Sequence, residues 1–208
     1  MYKIFLLGIT SEALTPEQER VVDRCSCVVT ASRFRKLIKG RQQTLIPIAP
    51  VKEMLALVAE HREKGDVAVL ASGDPLFFGV GRKILSTFGA AAVQIDPGVS
   101  SLQLAFARFK EPWDDAVWVS LHGRSSNDLP RRLLGPPKVF VLTDQQNSPA
   151  RVAAVLLDHF RSRGQDEASQ SYEVFVGENL GLANERLVKG SLEDIARQNF
   201  VDPNVLII

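Results

Sequence analysis

Val67-Ala68-Val69-Leu70-Ala71-Ser72-Gly73-Asp74-Pro75-Leu76-Phe77-Phe78-Gly79 is the stretch on which the fold turns. A short apolar run that ends in Gly-Asp-Pro reads as a buried strand stopped by a tight turn. Gly73 lets the backbone approach a ligand closely, and Pro75 stiffens the turn behind the acid. Gly79 and Gly81 then open a segment, Val80 to Phe88, with helical spacing. Strand, acid-bearing turn and helix in succession form the ligand-binding corner of an open α/β sheet. A plain strand-to-helix turn carries the same short signal, so the flanking sequence has to decide between them.

Upstream, Lys3 to Ile9 reads as a strand, and Thr15-Pro16-Glu17-Gln18 as a helix start with a capping Thr, Pro at the first helical position and Gln three residues after the cap. That helix runs to about Arg24. Cys27 to Thr30 is a second strand, Ser32 to Ile38 a short basic helix and Thr44 to Ile46 a third strand. Met54, Leu55, Val58 and Ala59 give Val51 to Glu63 a helical period. Downstream come a strand over Ala92 to Ile95 and a helix over Ser100 to Ala107. Such alternation predicts a mainly parallel sheet with crossover helices.

Lys110-Glu111-Pro112-Trp113-Asp114 is the linker candidate, which places an N-terminal α/β domain at 1–111 and a C-terminal α/β domain at 112–208. In the second half, strands are expected over Ala116 to Leu121, Lys138 to Leu142 and Val205 to Ile208. Helices are expected from Ser148-Pro149 to about Arg161 and over Ser191 to Arg197. Gln170 to Val176 and Glu185 to Lys189 are close enough to pair antiparallel, so this sheet is expected to be mixed.

The composition is that of an ordinary soluble globular chain, 45% hydrophobic and 24% charged, with a formal net charge of +1. No global basic field draws it to nucleic acid or to an anionic membrane. Ile4-Phe5-Leu6-Leu7 is too short for a signal-peptide core, and no run approaches a transmembrane length. A cytoplasmic location follows as the expectation. Cys25 and Cys27 are read as buried structural thiols on one face of a strand. His61, His122 and His159 have no ligand spacing, so no metal site is expected.

Walker, Gly-x-Ser-x-Gly, His-Glu-x-x-His and Rossmann glycine motifs are all missing. What remains is a set of polar loops after strands. Gly8-Ile9-Thr10-Ser11, Ser72-Gly73-Asp74-Pro75 and Asp96-Pro97-Gly98-Val99-Ser100-Ser101 belong to the first half. Caps and turns account for Ser and Asp at such places without a ligand. Several such loops at the carboxyl edge of one parallel sheet form the usual ligand position. Ser120-Leu121-His122-Gly123-Arg124, Leu142-Thr143-Asp144 and Glu178-Asn179-Leu180-Gly181 belong to the second half. A His titrates near neutrality and an Arg holds a carboxylate in a forked pair, although both also occur in ordinary surface loops.

Together these segments, in order over almost the whole chain, resemble the tetrapyrrole methylase family. Gly-Asp-Pro and Pro-Gly-Val-Ser-Ser are shared across the superfamily. Ser-Leu-His-Gly-Arg and Glu-Asn-Leu-Gly point to the precorrin carbon-5 methyltransferases of cobalamin biosynthesis, a domain that also forms the N-terminal half of the carbon-5,15 enzymes. The resemblance implies two α/β lobes with S-adenosylmethionine folded in a cleft between them, a tetrapyrrole above it, and a homodimer. It implies cofactor contacts from Gly73, Asp74, Pro75, Phe77, Ser100 and Ser101, and from Leu142, Asn179 and Leu180. Gly8 is an implied substrate contact, because the loop after the first strand faces the tetrapyrrole in the family, and Arg33, Arg35 and Arg124 are candidates for the macrocycle's many carboxylates. His122 is the candidate base. With the chain ending at Ile208, carbon-15 methylation and decarboxylation are expected on another chain.

One departure stands out: the family's Gly-x-Gly-Pro-Gly after the first strand is here Gly8-Ile9-Thr10-Ser11-Glu12. It bears on the shape of the substrate side. Other acceptors stay open on this architecture, namely another precorrin carbon, a modified histidine of a translation factor, or ribosomal RNA ribose, the last disfavoured by the charge. A non-catalytic corrinoid- or nucleotide-binding module would keep the same fold. A dinucleotide oxidoreductase is disfavoured by the missing glycine fingerprint.

Overall fold

A computed structural model describes residues 2–122 and 128–208. The chain divides into two compact units, Met1–Ser100 and Ser101–Ile208.

The first unit holds strands β1 (Ile4–Ile9), β2 (Cys27–Thr30), β3 (Thr44–Pro47), β4 (Val67–Ser72) and β5 (Val93–Asp96) in one sheet of order β3-β2-β4-β1-β5. Every pairing in it is parallel, as the strand–helix alternation predicts. Helices α1 (Pro16–Arg24), α2 (Val51–Arg62) and α3 (Gly81–Phe88) make the crossovers. The basic stretch Ser32–Ile38 is a 3-10 helix rather than an α-helix, with Phe34 and Ile38 as its buried residues.

Side chains alternate along a strand, and a parallel sheet is covered on both faces. Ile4 and Leu6 of β1 accordingly pack with Val67 and Val69 of β4, Met54 and Val58 of α2, and Ile84 of α3. Phe5, Leu7 and Ile9 point the other way, with Ala68 and Leu70, Val22 of α1, and Phe34 and Ile38. The capping box at Thr15 forms as expected: its side chain accepts from Gln18 N, and Gln18 Oε1 accepts from Thr15 N.

The two cysteines do not share a face. Cys27 is in β2, but Cys25 caps α1 before the strand begins, so each lies in a different core cluster. Both are free and buried, and burial pushes their thiols up to about 12 and about 11 respectively.

The second unit opens with α4 (Ser101–Phe109) and holds β6 (Val117–Ser120), β7 (Val139–Leu142), β8 (Glu173–Glu178), β9 (Arg186–Ser191) and β10 (Asn204–Ile207), in the order β6-β7-β10-β8-β9. β6 and β7 are parallel, and the pairings of β10 with β7 and β8, and of β8 with β9, are antiparallel. The sheet is mixed, as expected from the adjacent strand signals. One face carries α6 (Pro149–Arg161) and α8 (Leu192–Ala196), with Val152, Leu156, Phe160 and Ile195 in the core. Two short helices, α5 (Leu129–Leu133) and α7 (Asp166–Ser169), were not foreseen from sequence.

The compact units divide before α4, upstream of the Lys110–Asp114 stretch where the composition changes. Aromatic packing explains why α4 goes with the second unit. Phe106 lies against Phe140 of β7 at 6.2 Å between ring centroids, and Phe109 against Phe175 of β8 at 4.9 Å.

Candidate functional site

In the first unit, β1 lies between β4 and β5, so the loops leaving their carboxyl ends are neighbours. The loops meet as bare backbone. A Cβ on Gly98 would stand 2.7 Å from both the carbonyl carbon and oxygen of Gly8, and 2.9 Å from Gly73 O. One on Gly8 would collide with Gly98 N and Gly73 O. Gly73 has φ +58°, and a Cβ there would stand 2.9 Å from Ser100 Cα and 3.1 Å from Val99 O. No other residue fits at these three positions without pushing the loops apart, and Gly73 also has a conformation that L-residues avoid.

The turn after β4 is fixed locally. Gly73 N donates to Ile9 O at 2.9 Å. Asp74 Oδ1 accepts from Leu76 N at 2.7 Å, an Asx turn that spends one carboxylate oxygen on the backbone. Pro75 O accepts from Gly81 N at 3.0 Å, which ties the turn to the start of α3. Leu76, Phe78 and Val99 are exposed at this edge, and Phe77 is half-buried with its ring 4.9 Å from that of Phe78. Ser100 is buried.

Sequence reasoning missed Thr10 and Gln18. Val99 N donates to Thr10 Oγ1 at 2.8 Å. Gln18, buried under the sheet edge, donates from Nε2 to Gly8 O and to Asp96 Oδ2, both at 3.0 Å. The capping signature foretold the local bonds of Gln18, but not the partner 78 positions away.

The basic 3-10 segment leaves the carboxyl end of β2 at the same sheet edge. Lys36 pairs with Glu12, and Arg41 with Asp23 and Glu19. Arg33 and Arg35 are exposed, with the Arg33 guanidinium 4.8 Å from the Phe34 ring centroid.

In the second unit, the pairings make β6, β7 and β8 run in one direction, so their carboxyl ends share an edge with the start of β10. Buried polar groups knit that edge. Leu121 N donates to Leu142 O at 2.8 Å. Asn147 Nδ2 donates to Leu121 O at 3.2 Å and to Asp144 Oδ1 at 3.1 Å. The Thr143 hydroxyl donates to Asn204 O at 2.7 Å, and Asn179 N to Pro203 O at 2.9 Å. Glu178, 1% exposed, pairs with Arg186 at 2.9 Å and accepts from Val201 N. An unpaired carboxylate there would carry a heavy desolvation cost, so these partners are required.

The turn after β8 is held in an uncommon shape. Asn179 has φ +51° and Gly181 φ +80°. Glu185 closes the turn: its Oε2 accepts from Gly181 N at 2.7 Å and its Oε1 from Arg108 Nε at 2.6 Å. Burial works against its ionisation, but the Arg108 hydrogen bond and the Gly181 N–H outweigh it and hold the carboxyl below its usual range.

Of the residues expected at a site, Gly8, Gly73, Asp74, Pro75, Phe77 and Ser100 are at the first edge, with Arg33 and Arg35 after the neighbouring strand. Ser101 follows as the first residue of α4. Leu142, Asn179 and Leu180 are at the second edge, and His122 is exposed in the turn after β6. Arg124 lies outside the described residues.

Residues 7–196 match the family described as Tetrapyrrole (Corrin/Porphyrin) Methylases. A cobalt-precorrin-7 C(5)-methyltransferase of Salmonella typhimurium is 34% identical over 139 residues, covering 67% of this chain and 64% of the relative, so the matched part spans just under two thirds of that protein. A probable cobalt-precorrin-7 C(5)-methyltransferase of Methanocaldococcus jannaschii is 27% identical over 207 residues, covering 95% and 93%. Among solved structures, uroporphyrin-III C-methyl transferase of Thermus thermophilus complexed with S-adenyl homocysteine superposes with a TM-score of 0.73 at 22% identity, covering 99% of this chain and 96% of that one. At that identity the likeness speaks for the fold.

Proposed function

Because this chain belongs to the tetrapyrrole methylase family, we propose that it methylates carbon 5 of a precorrin or cobalt-precorrin intermediate in cobalamin biosynthesis, with S-adenosylmethionine as methyl donor. The observation that carries the reading is the all-glycine crossing of Gly8, Gly73 and Gly98 at a sheet edge. With no side chains between them, the three loops close to backbone contact at the carboxyl edge of the sheet, where open α/β sheets bind their ligands. The names of the Salmonella and Methanocaldococcus relatives supply the carbon-5 acceptor.

S-adenosylmethionine supplies an already activated sulfonium methyl, so positioning is the protein's main contribution. Gly73, Asp74, Pro75, Phe77, Ser100 and Ser101 hold it in this reading, the apolar Leu76 and Val99 offering surface to its adenosine. Leu142, Asn179 and Leu180 are further cofactor contacts in the same reading. Arg33 and Arg35 take substrate carboxylates, for which their planar guanidinium forks are suited. Arg124 belongs with them by its place in the sequence. His122 removes the proton that the methylated carbon must lose. In the same reading the protein works as a homodimer in the cytoplasm. Among the described residues, no helix is long and apolar enough to cross a membrane.

The test is incubation with labelled S-adenosylmethionine and a panel of precorrin intermediates, read by mass spectrometry. One added methyl on a precorrin-7-type acceptor supports the assignment. Transfer to a different precorrin, or to RNA or protein, would replace the acceptor while leaving the cofactor reading in place.

A further inference from the structure

The loop after β1 carries neither of the two glycines nor the proline expected past Gly8, yet it has to keep its backbone against Gly98 and beside Gly73. Two side chains hold it there. Thr10 Oγ1 receives Val99 N–H at 2.8 Å, a bond between loops 89 positions apart. Gln18 uses its whole amide: Oε1 receives Thr15 N–H at 3.2 Å, and Nε2 donates to Gly8 O and to Asp96 Oδ2, both at 3.0 Å. Gln18 is buried, so its amide finds its partners in the protein rather than in water. Its two long-range bonds join the end of β1 to the end of β5. Between them, the two side chains fasten the 8–10 loop to both ends of the 96–99 loop. A Cβ on Gly73 would press on Ser100 Cα and Val99 O, and one on Gly98 on Gly73 O, so the Gly73 turn packs on this same loop.

We propose that Thr10 and Gln18 are positioning residues that preform the cofactor-binding backbone of the Gly73 and Val99–Ser100 loops. The inference rests on the S-adenosylmethionine reading. Neither side chain touches the methyl group or its acceptor in this account. Their effect passes through the Val99 amide and the Gly8 carbonyl, and should fall on cofactor affinity rather than on the chemical step.

Thr10→Val keeps the shape and removes the acceptor, Thr10→Ser keeps the acceptor, and Gln18→Met keeps the length without the amide. S-adenosylhomocysteine binding is measured by calorimetry on each full-length variant, with hydrogen exchange at the Val99 amide followed in the ligand-free protein. Loss of one ordinary hydrogen bond predicts about two- to tenfold weaker binding for Thr10→Val. Faster Val99 exchange, restoration of both properties in Thr10→Ser, and a raised KM for S-adenosylmethionine at unchanged kcat are expected with it. Gln18→Met should show the same split more strongly; if it fails to fold, the threonine pair alone decides. Wild-type affinity in Thr10→Val, even with a lower melting temperature, would overturn the inference and leave the cofactor reading intact. A wild-type protein that does not bind S-adenosylhomocysteine would remove both.

Discussion

Gly98→Ala is the sharpest perturbation of the loop crossing. The added Cβ would lie 2.7 Å from Gly8 C, 2.7 Å from Gly8 O and 2.9 Å from Gly73 O. All three are backbone atoms, two at the paired end of β1 and one in the turn after β4, so no side chain can swing aside. Overpacking costs about 1–3 kcal/mol, and collision with fixed main chain puts this variant at the top, about 3 kcal/mol. For a chain of this size each kcal/mol lowers Tm by about 2–4 °C, so a fall of about 6–12 °C is expected. Gly135→Ala is the control. Among the described residues, nothing stands closer than Arg131 O at 4.0 Å, and its φ is not in the left-handed region. It should be neutral, or stabilising by about 0.4–1 kcal/mol through the unfolded chain. Both variants are read by thermal unfolding and by S-adenosylhomocysteine calorimetry. The alanine at 98 should lose most of its affinity, and the alanine at 135 should keep it. A Gly98→Ala protein with wild-type Tm and affinity would refute the argument that bare backbone is needed there.

Other outcomes follow from the same structure. Phe106→Ala should cost about 3–5 kcal/mol, because Phe106 is fully buried against Phe140; urea unfolding measures it. Glu185 has a lowered carboxyl pKa in the folded protein, so its stabilising pairing is complete above the ordinary carboxylate range and is lost as pH falls through that lowered value. Glu185→Gln should flatten the acid limb of the stability–pH curve, and an unchanged limb would contradict the Arg108–Gly181 latch. The thiols at about 12 and about 11 should resist alkylation in the native protein at pH about 8, since the thiolate is the reactive form. Their contribution is intact below the ordinary thiol range and is lost as pH rises through those values, so stability should begin to fall above pH about 9. His122→Ala should abolish turnover while S-adenosylhomocysteine still binds; normal methylation by that variant would remove it as the base.

The sheet of the first unit was largely legible in the sequence because its signals are local. Val67–Leu70 runs straight into a Gly-Asp-Pro stop, Thr15-Pro16 announces α1, and the strand–helix alternation implies parallel pairing. The mixed second sheet was legible for a similar reason, two strand signals too close together for a crossover helix. Local signals ran out where long-range packing decides. Cys25 and Cys27 look equivalent in a period-two strand, but the helix cap at Cys25 puts the first outside β2. Phe106 and Phe109 carry α4 into the second unit, and nothing within that helix's own sequence names their partners in β7 and β8. The glycines of the candidate site stood out one by one. That Gly8, Gly73 and Gly98 touch, and that Thr10 and Gln18 hold them, depends on β1 lying between β4 and β5. Strand order is invisible to motif reading, so the holders of the loops were missed while the loops were found.

The most direct measurement of the central claim is methyl transfer itself. The purified protein is incubated with S-adenosylmethionine carrying an isotope-labelled methyl and with precorrin-7 in cobalt-free and cobalt-bound forms, and the product is resolved by NMR. The account predicts one labelled methyl at carbon 5 of at least one form, with S-adenosylhomocysteine released in equal amount. A protein that binds S-adenosylhomocysteine yet places no label on carbon 5 of either form would contradict it.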